Sequence, residues 1–287
     1  MSMGNSRRFW AIVLTICMMV SLIPIHFSVE AEAVSGVNSL TCSGFISNPI
    51  AQKYIDTMMR YYINSSSSLQ TTLNNGLSVV FMFEGGSDNY WNGTIYGTKG
   101  DYATRNQAVV IVVQKNSSGN AYIAYYCENC SSIPDQPTQC TYNLGNSGST
   151  TLMDGTYSFY TWNHPAGSSS YGAFQISVNK GYYTPTNYLN GQVLGASGIN
   201  IHTRTTNKAY SGSGVWSAGC QLIGSGAYTG NEFNQFMKVV AGISSNVFID
   251  YYNKNFTTIS TGITKGYYLV DRQLGMMGTD GTLYCSG

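Results

Sequence analysis

A mainly β fold is what this chain of 287 residues predicts, on three observations. Short runs of β-branched and aromatic residues recur from Leu77 onward, separated by clusters of Gly, Asn and Ser. Helical spacing of apolar residues stands out in only two stretches. Charged residues make up 9% of the chain, where about 25% is usual, while Gly (32) and Tyr (23) are abundant. That composition fits a turn-rich secreted β protein. A formal charge of +1 supplies no basic surface for phosphate neutralisation, which excludes nucleic acid as the main partner. A hydrophobic content of 43% excludes a disordered chain.

The first residues read as an address. Arg7 and Arg8 precede the apolar run Phe9 to Ile25, and Ala31-Glu32-Ala33 follows it, which is the order of a cleaved secretory signal over residues 1–33. Cleavage after Ala33 leaves 254 residues, 287 minus 33. The alternative is an uncleaved anchor, although the run is shorter than the roughly 20 residues that spanning needs. No later segment is apolar and long enough to span, so the mature chain is expected outside the cytoplasm, secreted or held at the cell wall, with no stable membrane span after cleavage.

Residues 34–76 read as an N-terminal helical extension. Ser47 or Asn48, followed by Pro49, is a helix start, and Ile50, Tyr54, Ile55, Met58, Met59 and Tyr62 keep helical spacing until the break at Asn64 to Ser68. A sheet-built domain is expected over 77–287. Its predicted strands are Leu77 to Phe83, Ala108 to Gln114, Ala121 to Tyr126, Gly155 to Trp162, Gly172 to Val178, Gly198 to His202 and Gly266 to Val270. A second helix begins at the capping box Thr229 to Glu232, with Phe233, Phe236, Met237 and Val240 on one face.

Chemistry concentrates at the end of one strand. Alternation in Gly198-Ile199-Asn200-Ile201-His202 places Asn200 and His202 on one face. Eighteen positions later comes Trp216-Ser217-Ala218-Gly219-Cys220. A thiol becomes a strong nucleophile when a nearby imidazole takes its proton. Gly219 permits a tight turn before Cys220, so that consecutive amides converge on a developing oxyanion.

The pattern His, 14 intervening residues, Ser-x-Gly-Cys resembles the signature of the L,D-transpeptidase catalytic domain (YkuD-type). Asp154 to Tyr157 is similar to that family's early Gly-containing strand, and the resemblance covers about residues 150–271. It implies an L,D-transpeptidase-like β-sandwich of mixed sheets with a few helices. It also implies a secreted cysteine acyltransferase that acts on peptidoglycan stem peptides, needs no metal or organic cofactor and is susceptible to carbapenems. Cys220 would be the nucleophile and His202 the base, with the backbone carbonyl near Thr203 orienting the imidazole. The chain departs from the family pattern at Ala218, where a second His is usual, and at Leu222, where Arg or Asn is usual. Ser217, Ala218, Gly219 and Cys220 offer amides to an oxyanion. His164, Trp216, Tyr171 and Gln221 are candidates for the substrate cleft. Each has a plainer alternative: a surface His, core packing for the aromatics, a solvated Gln. Hydrolysis at the same site would make the enzyme an L,D-carboxypeptidase, and a non-catalytic wall-binding protein of the same fold is the third reading.

The seven cysteines complete the reading. Cys127-x2-Cys130-x9-Cys140 lacks a fourth zinc ligand and lies in an oxidising compartment, which favours a disulfide among the three. Cys42 and Cys285, near the mature ends, are a second candidate pair. With Cys17 removed and Cys220 in chemistry, five cysteines remain, an odd number, so at least one is left unpaired in the monomer.

Overall fold

A computed structural model describes residues 37–88, 108–132, 154–177, 198–203, 219–224 and 230–276, with Leu152 and the short strands at 184–186 and 194–196. The fold is mainly β, built on a large mixed sheet, as the sequence predicts. Residues Ser35–Gly287 form one compact unit. The expected signal segment lies outside the described residues. No helix among the described residues is long and apolar enough to cross a membrane.

Twelve strands are described: β1 (Ser78–Phe83), β2 (Ala108–Lys115), β3 (Ala121–Cys130), β4 (Gly155–Ala166), β5 (Ser169–Ile176), β6 (Thr184–Thr186), β7 (Leu194–Ala196), β8 (Asn200–His202), β9 (Gln221–Leu222), β10 (Phe248–Asp250), β11 (Asn255–Phe256) and β12 (Thr264–Asp271). Eight of them form one sheet in the order β3-β2-β1-β12-β4-β5-β8-β9. The pairs β1–β12 and β8–β9 are parallel and the others antiparallel. Ser131, just beyond β3, exchanges two backbone hydrogen bonds with Leu222 of β9, at 2.9 and 2.7 Å, so the two edge strands of this order are tied together.

The central strands are apolar on both faces because both faces are covered. From β1, Val80 and Met82 join Val110, Val112, Tyr268 and Val270 in one core. Their neighbours Val79, Phe81 and Phe83 join Val109, Ile111, Val113 and Leu269 in another. Helix α1 (Pro49–Ser65) and helix α2 (Ser67–Asn74) cover the second core through Ile55, Met59, Ile63, Leu69 and Leu73. Helix α3 (Asn231–Ala241) fills the first with Phe233, Phe236, Met237 and Val240. Each such side chain, fully buried, contributes about 1.5–3 kcal/mol.

Asn48 caps α1 by accepting from the Ile50 and Ala51 amides at 2.9 and 3.0 Å. The serine-rich stretch read as a break is instead a junction: Ser66 ends α1 and caps α2, its hydroxyl accepting from the Leu69 amide at 3.3 Å. The predicted capping box of α3 is not how that helix starts. Its N-cap is Gly230 with φ +56°, with no side-chain cap, and a Cβ there would lie 2.8 Å from the Phe248 ring. Close packing against Phe248 selects glycine over a capping side chain.

Among the described residues no two cysteines are joined. Cys127 and Cys130 are not bonded to each other; the Cys127 Sγ lies 2.9 Å from the Glu128 carbonyl oxygen and the Cys130 Sγ 3.5 Å from the Cys127 carbonyl oxygen. Cys140 and Cys285 lie outside the described residues. Cys42 is buried in the helix-covered core, where desolvation and then the Asp56 carboxylate push its thiol well above the ordinary range.

Candidate active site

The parallel pairing of β8 with β9 places His202 opposite Leu222 and Ile201 opposite Gln221, so Cys220, immediately before β9, lies beside Asn200, the first residue of β8. A hairpin sets the other wall. β4 and β5 pair His164 with Tyr171, Trp162 with Ala173 and Tyr160 with Gln175, and β5 pairs Gln175 with Asn200. Directly paired residues share a face, and alternate residues of one strand do also. Tyr160, Trp162, His164, Tyr171, Gln175, Asn200 and His202 therefore lie on one surface of the sheet.

At its closed end the groups touch. The His164 and His202 rings stack with centroids 4.0 Å apart and planes 29° from parallel. One donor atom from each of His164, His202 and Cys220 lies within 4.8 Å of the other two. The Asn200 amide donates to the Cys220 Sγ at 3.4 Å, a contact that favours the thiolate. His202 is almost fully buried and Cys220 half-buried.

The tautomer of His202 follows from its neighbours. Its Nδ1 lies 2.6 Å from the Thr203 carbonyl oxygen, which only accepts, so Nδ1 is assigned the proton. The Tyr171 hydroxyl makes a second contact with Nδ1 at 3.3 Å. Nε2 then carries the lone pair and is the basic nitrogen. Burial, and next the Cys220 charge, push the Tyr171 hydroxyl far above its ordinary range, so it remains a neutral hydrogen-bonding group. Burial pushes His164 down from 6.5 to about 4. With His164 neutral near pH 7, the stacked pair avoids two adjacent positive charges.

Two histidines and a cysteine are also a donor set for zinc or copper. Imidazole lone pairs lie in the ring plane. In two rings stacked at 4.0 Å they run side by side instead of converging, so the pair does not form a chelate as it stands.

Comparison with family models, curated proteins and solved structures finds no match.

Of the residues singled out from sequence, Cys220, His202, Thr203, Gly219, His164, Tyr171 and Gln221 are described and lie together. Trp216, Ser217 and Ala218 lie outside the described residues. His164 belongs to a strand and not to a surface loop. Tyr171 is 4% exposed and backs His202, and Gln221 is 0% exposed and faces the interior, so neither lines an open cleft. Sequence reasoning missed the surface that runs outward from the site. Trp162, 36% exposed, meets Tyr160 edge-on at 6.3 Å; the Tyr160 hydroxyl donates to Gln175 Oε1, and Gln175 Nε2 donates to Asn200 Oδ1 at 3.3 Å. Part of the signal was present in the alternation of Tyr160 and Trp162 at the end of the predicted strand Gly155 to Trp162, which β4 continues through His164. A cavity of about 610 Å3 opens elsewhere, between Phe45, Tyr126 and Glu232. Its Asp88 already accepts from the Ser47 amide and its Glu128 from the Tyr126 hydroxyl, and it contains none of the groups described above.

Proposed function

We propose that this protein is a secreted cysteine acyltransferase of the L,D-transpeptidase type, acting on peptidoglycan stem peptides outside the cytoplasm. The observation that carries the reading is a half-buried thiol beside a histidine whose tautomer is set by a backbone carbonyl. The His-to-Cys spacing noted in the sequence supports the family.

In this reaction His202 Nε2 takes the Cys220 proton, giving an imidazolium and a thiolate held by the Asn200 amide. The sulfur attacks the carbonyl of the third stem residue. The tetrahedral intermediate collapses with cleavage of the C–N bond to the terminal D-residue, whose nitrogen leaves with the proton from His202. A thioester on Cys220 remains. An amine of a second stem attacks it, His202 accepts the amine proton and returns it to the departing thiolate, and a new amide cross-links the stems. Water in place of the amine gives hydrolysis. No step requires a metal or an organic cofactor.

The donor stem has a bed in this reading. An extended peptide advances about 3.3 Å per residue, so the two residues preceding the acylated one reach about 7 Å along β4, from His164 to Trp162. The described residues of that surface present aromatic faces and amides. Incubation with a tetrapeptide stem and an amine acceptor tests the proposal: cross-linked peptide and free D-amino acid are expected, and neither should form with Cys220→Ala. Absence of both products with the parent protein overturns it.

A further inference from the structure

Gln221 follows Cys220 directly, yet its side chain is completely buried. Its Nε2 donates to the Gly219 carbonyl at 3.3 Å and to the Ser132 carbonyl at 3.2 Å, and its Oε1 accepts from the Tyr268 hydroxyl at 3.2 Å. The amide orientation is assigned from those partners, because two carbonyls only accept. The partners are themselves fixed. The Ser132 carbonyl also accepts from Arg272 Nη2 at 2.9 Å, and the Ser132 amide and hydroxyl are held by the buried Glu84 carboxyl. Arg272 pairs with Asp154 at 3.0 Å, and Tyr268 is buried at the centre of the sheet on β12. The Gln221 amide is thus clamped from both ends in the interior.

That clamp dictates how the backbone before it is turned. The peptide bond between Gly219 and Cys220 is trans, so its C=O and N–H point to opposite sides. Gln221 draws the C=O inward, and the trans geometry turns the Cys220 N–H to the opposite side of that peptide. Gly219 has φ +139°, a conformation that other residues rarely adopt.

We infer that Gln221 is a positioning residue that sets the Gly219–Cys220 peptide so that the Cys220 N–H serves as an oxyanion donor during acyl transfer. The inference rests on the acyl-transfer reading and deepens it. An apolar side chain of similar length leaves the Gly219 carbonyl without this anchor and frees the peptide to rotate away from the oxyanion.

The test compares two reactions of Cys220 in the full chain. Acylation by p-nitrophenyl acetate, which releases p-nitrophenolate and leaves an acetyl thioester, passes through a tetrahedral oxyanion. Alkylation by iodoacetamide displaces iodide at a saturated carbon and forms no oxyanion. In Gln221→Met, acylation should fall roughly 10- to 100-fold, the range for a displaced or lost oxyanion donor, while alkylation stays within about 2-fold of the parent. Tyr268→Phe, which removes one end of the clamp and keeps Gln221, should show the same selective loss at roughly 3- to 10-fold. It gives the answer if Gln221→Met does not fold. Equal losses in both reactions, or acylation unchanged, overturn the inference. Selective loss in a protein whose parent fails to turn over stem peptides leaves the positioning role standing and sinks only the substrate assignment.

Discussion

Replacing His164 with Phe keeps a flat ring against His202 and removes the titrating group. In the folded protein burial holds His164 near 4, against about 6.5 in the unfolded chain. A base whose folded value is depressed leaves the unfolded chain binding more protons between those two values. The native state therefore loses stability as pH falls from about 6.5, and the loss levels off below about 4. At pH 7.5 the contribution is close to zero. At pH 5 the unfolded His is almost wholly protonated and the folded one mostly neutral, a difference of about 2 kcal/mol, or about 1–2 kcal/mol allowing for the ring's residual exposure. Urea unfolding of parent and His164→Phe at pH 7.5 and at pH 5 measures it. The variant should gain on the parent by that amount at the lower pH. A stability difference unchanged between the two pH values refutes the desolvated, neutral His164.

Three further outcomes follow from the same geometry. His202→Ala should slow iodoacetamide alkylation of Cys220 at pH 7 by about 10-fold or more, because an unassisted thiol is only a few per cent ionised there; an unchanged rate removes His202 as the base. Trp162→Ala should raise KM for a tetrapeptide stem while kcat and the thermal unfolding midpoint stay near parental values, since Trp162 is exposed; a loss in kcat alone shows that the face is not a donor bed. Arg272→Met strips the fully buried guanidinium from Asp154 and Ser132 and should destabilise the fold by about 3 kcal/mol in denaturant unfolding. A change below about 1 kcal/mol contradicts the buried clamp behind Cys220.

The strands that enter the core on both sides were legible as uninterrupted apolar runs, Val79 to Phe83 and Ala108 to Val113, because no solvent-facing residue interrupts them. α1 and α3 were legible from spacing. α2 was not: its serines read as a break, and only the tertiary contacts of Leu69 and Leu73 make a helix of it. β10 and β11 escaped because each has only two or three residues, positioned by Asn234, whose side chain binds the backbone of Val247 and Phe248. At the candidate site, the His-to-Cys spacing gave the expectation that His202 and Cys220 meet, and the two lie close together. The approach of His164 depends on the register of β4 against β5, and the inward turn of Gln221 depends on carbonyls from Ser132 and Gly219 that no local pattern announces.

The account stands most directly on a covalent acyl-enzyme at Cys220. Intact-mass measurement during incubation with a tetrapeptide stem should show the protein heavier by the donor minus its terminal D-residue, with the added mass mapped to the peptide containing Cys220 and absent in Cys220→Ala. The same adduct should form more slowly in His202→Ala. A parent protein that remains at its unmodified mass while the stem is left intact contradicts the account.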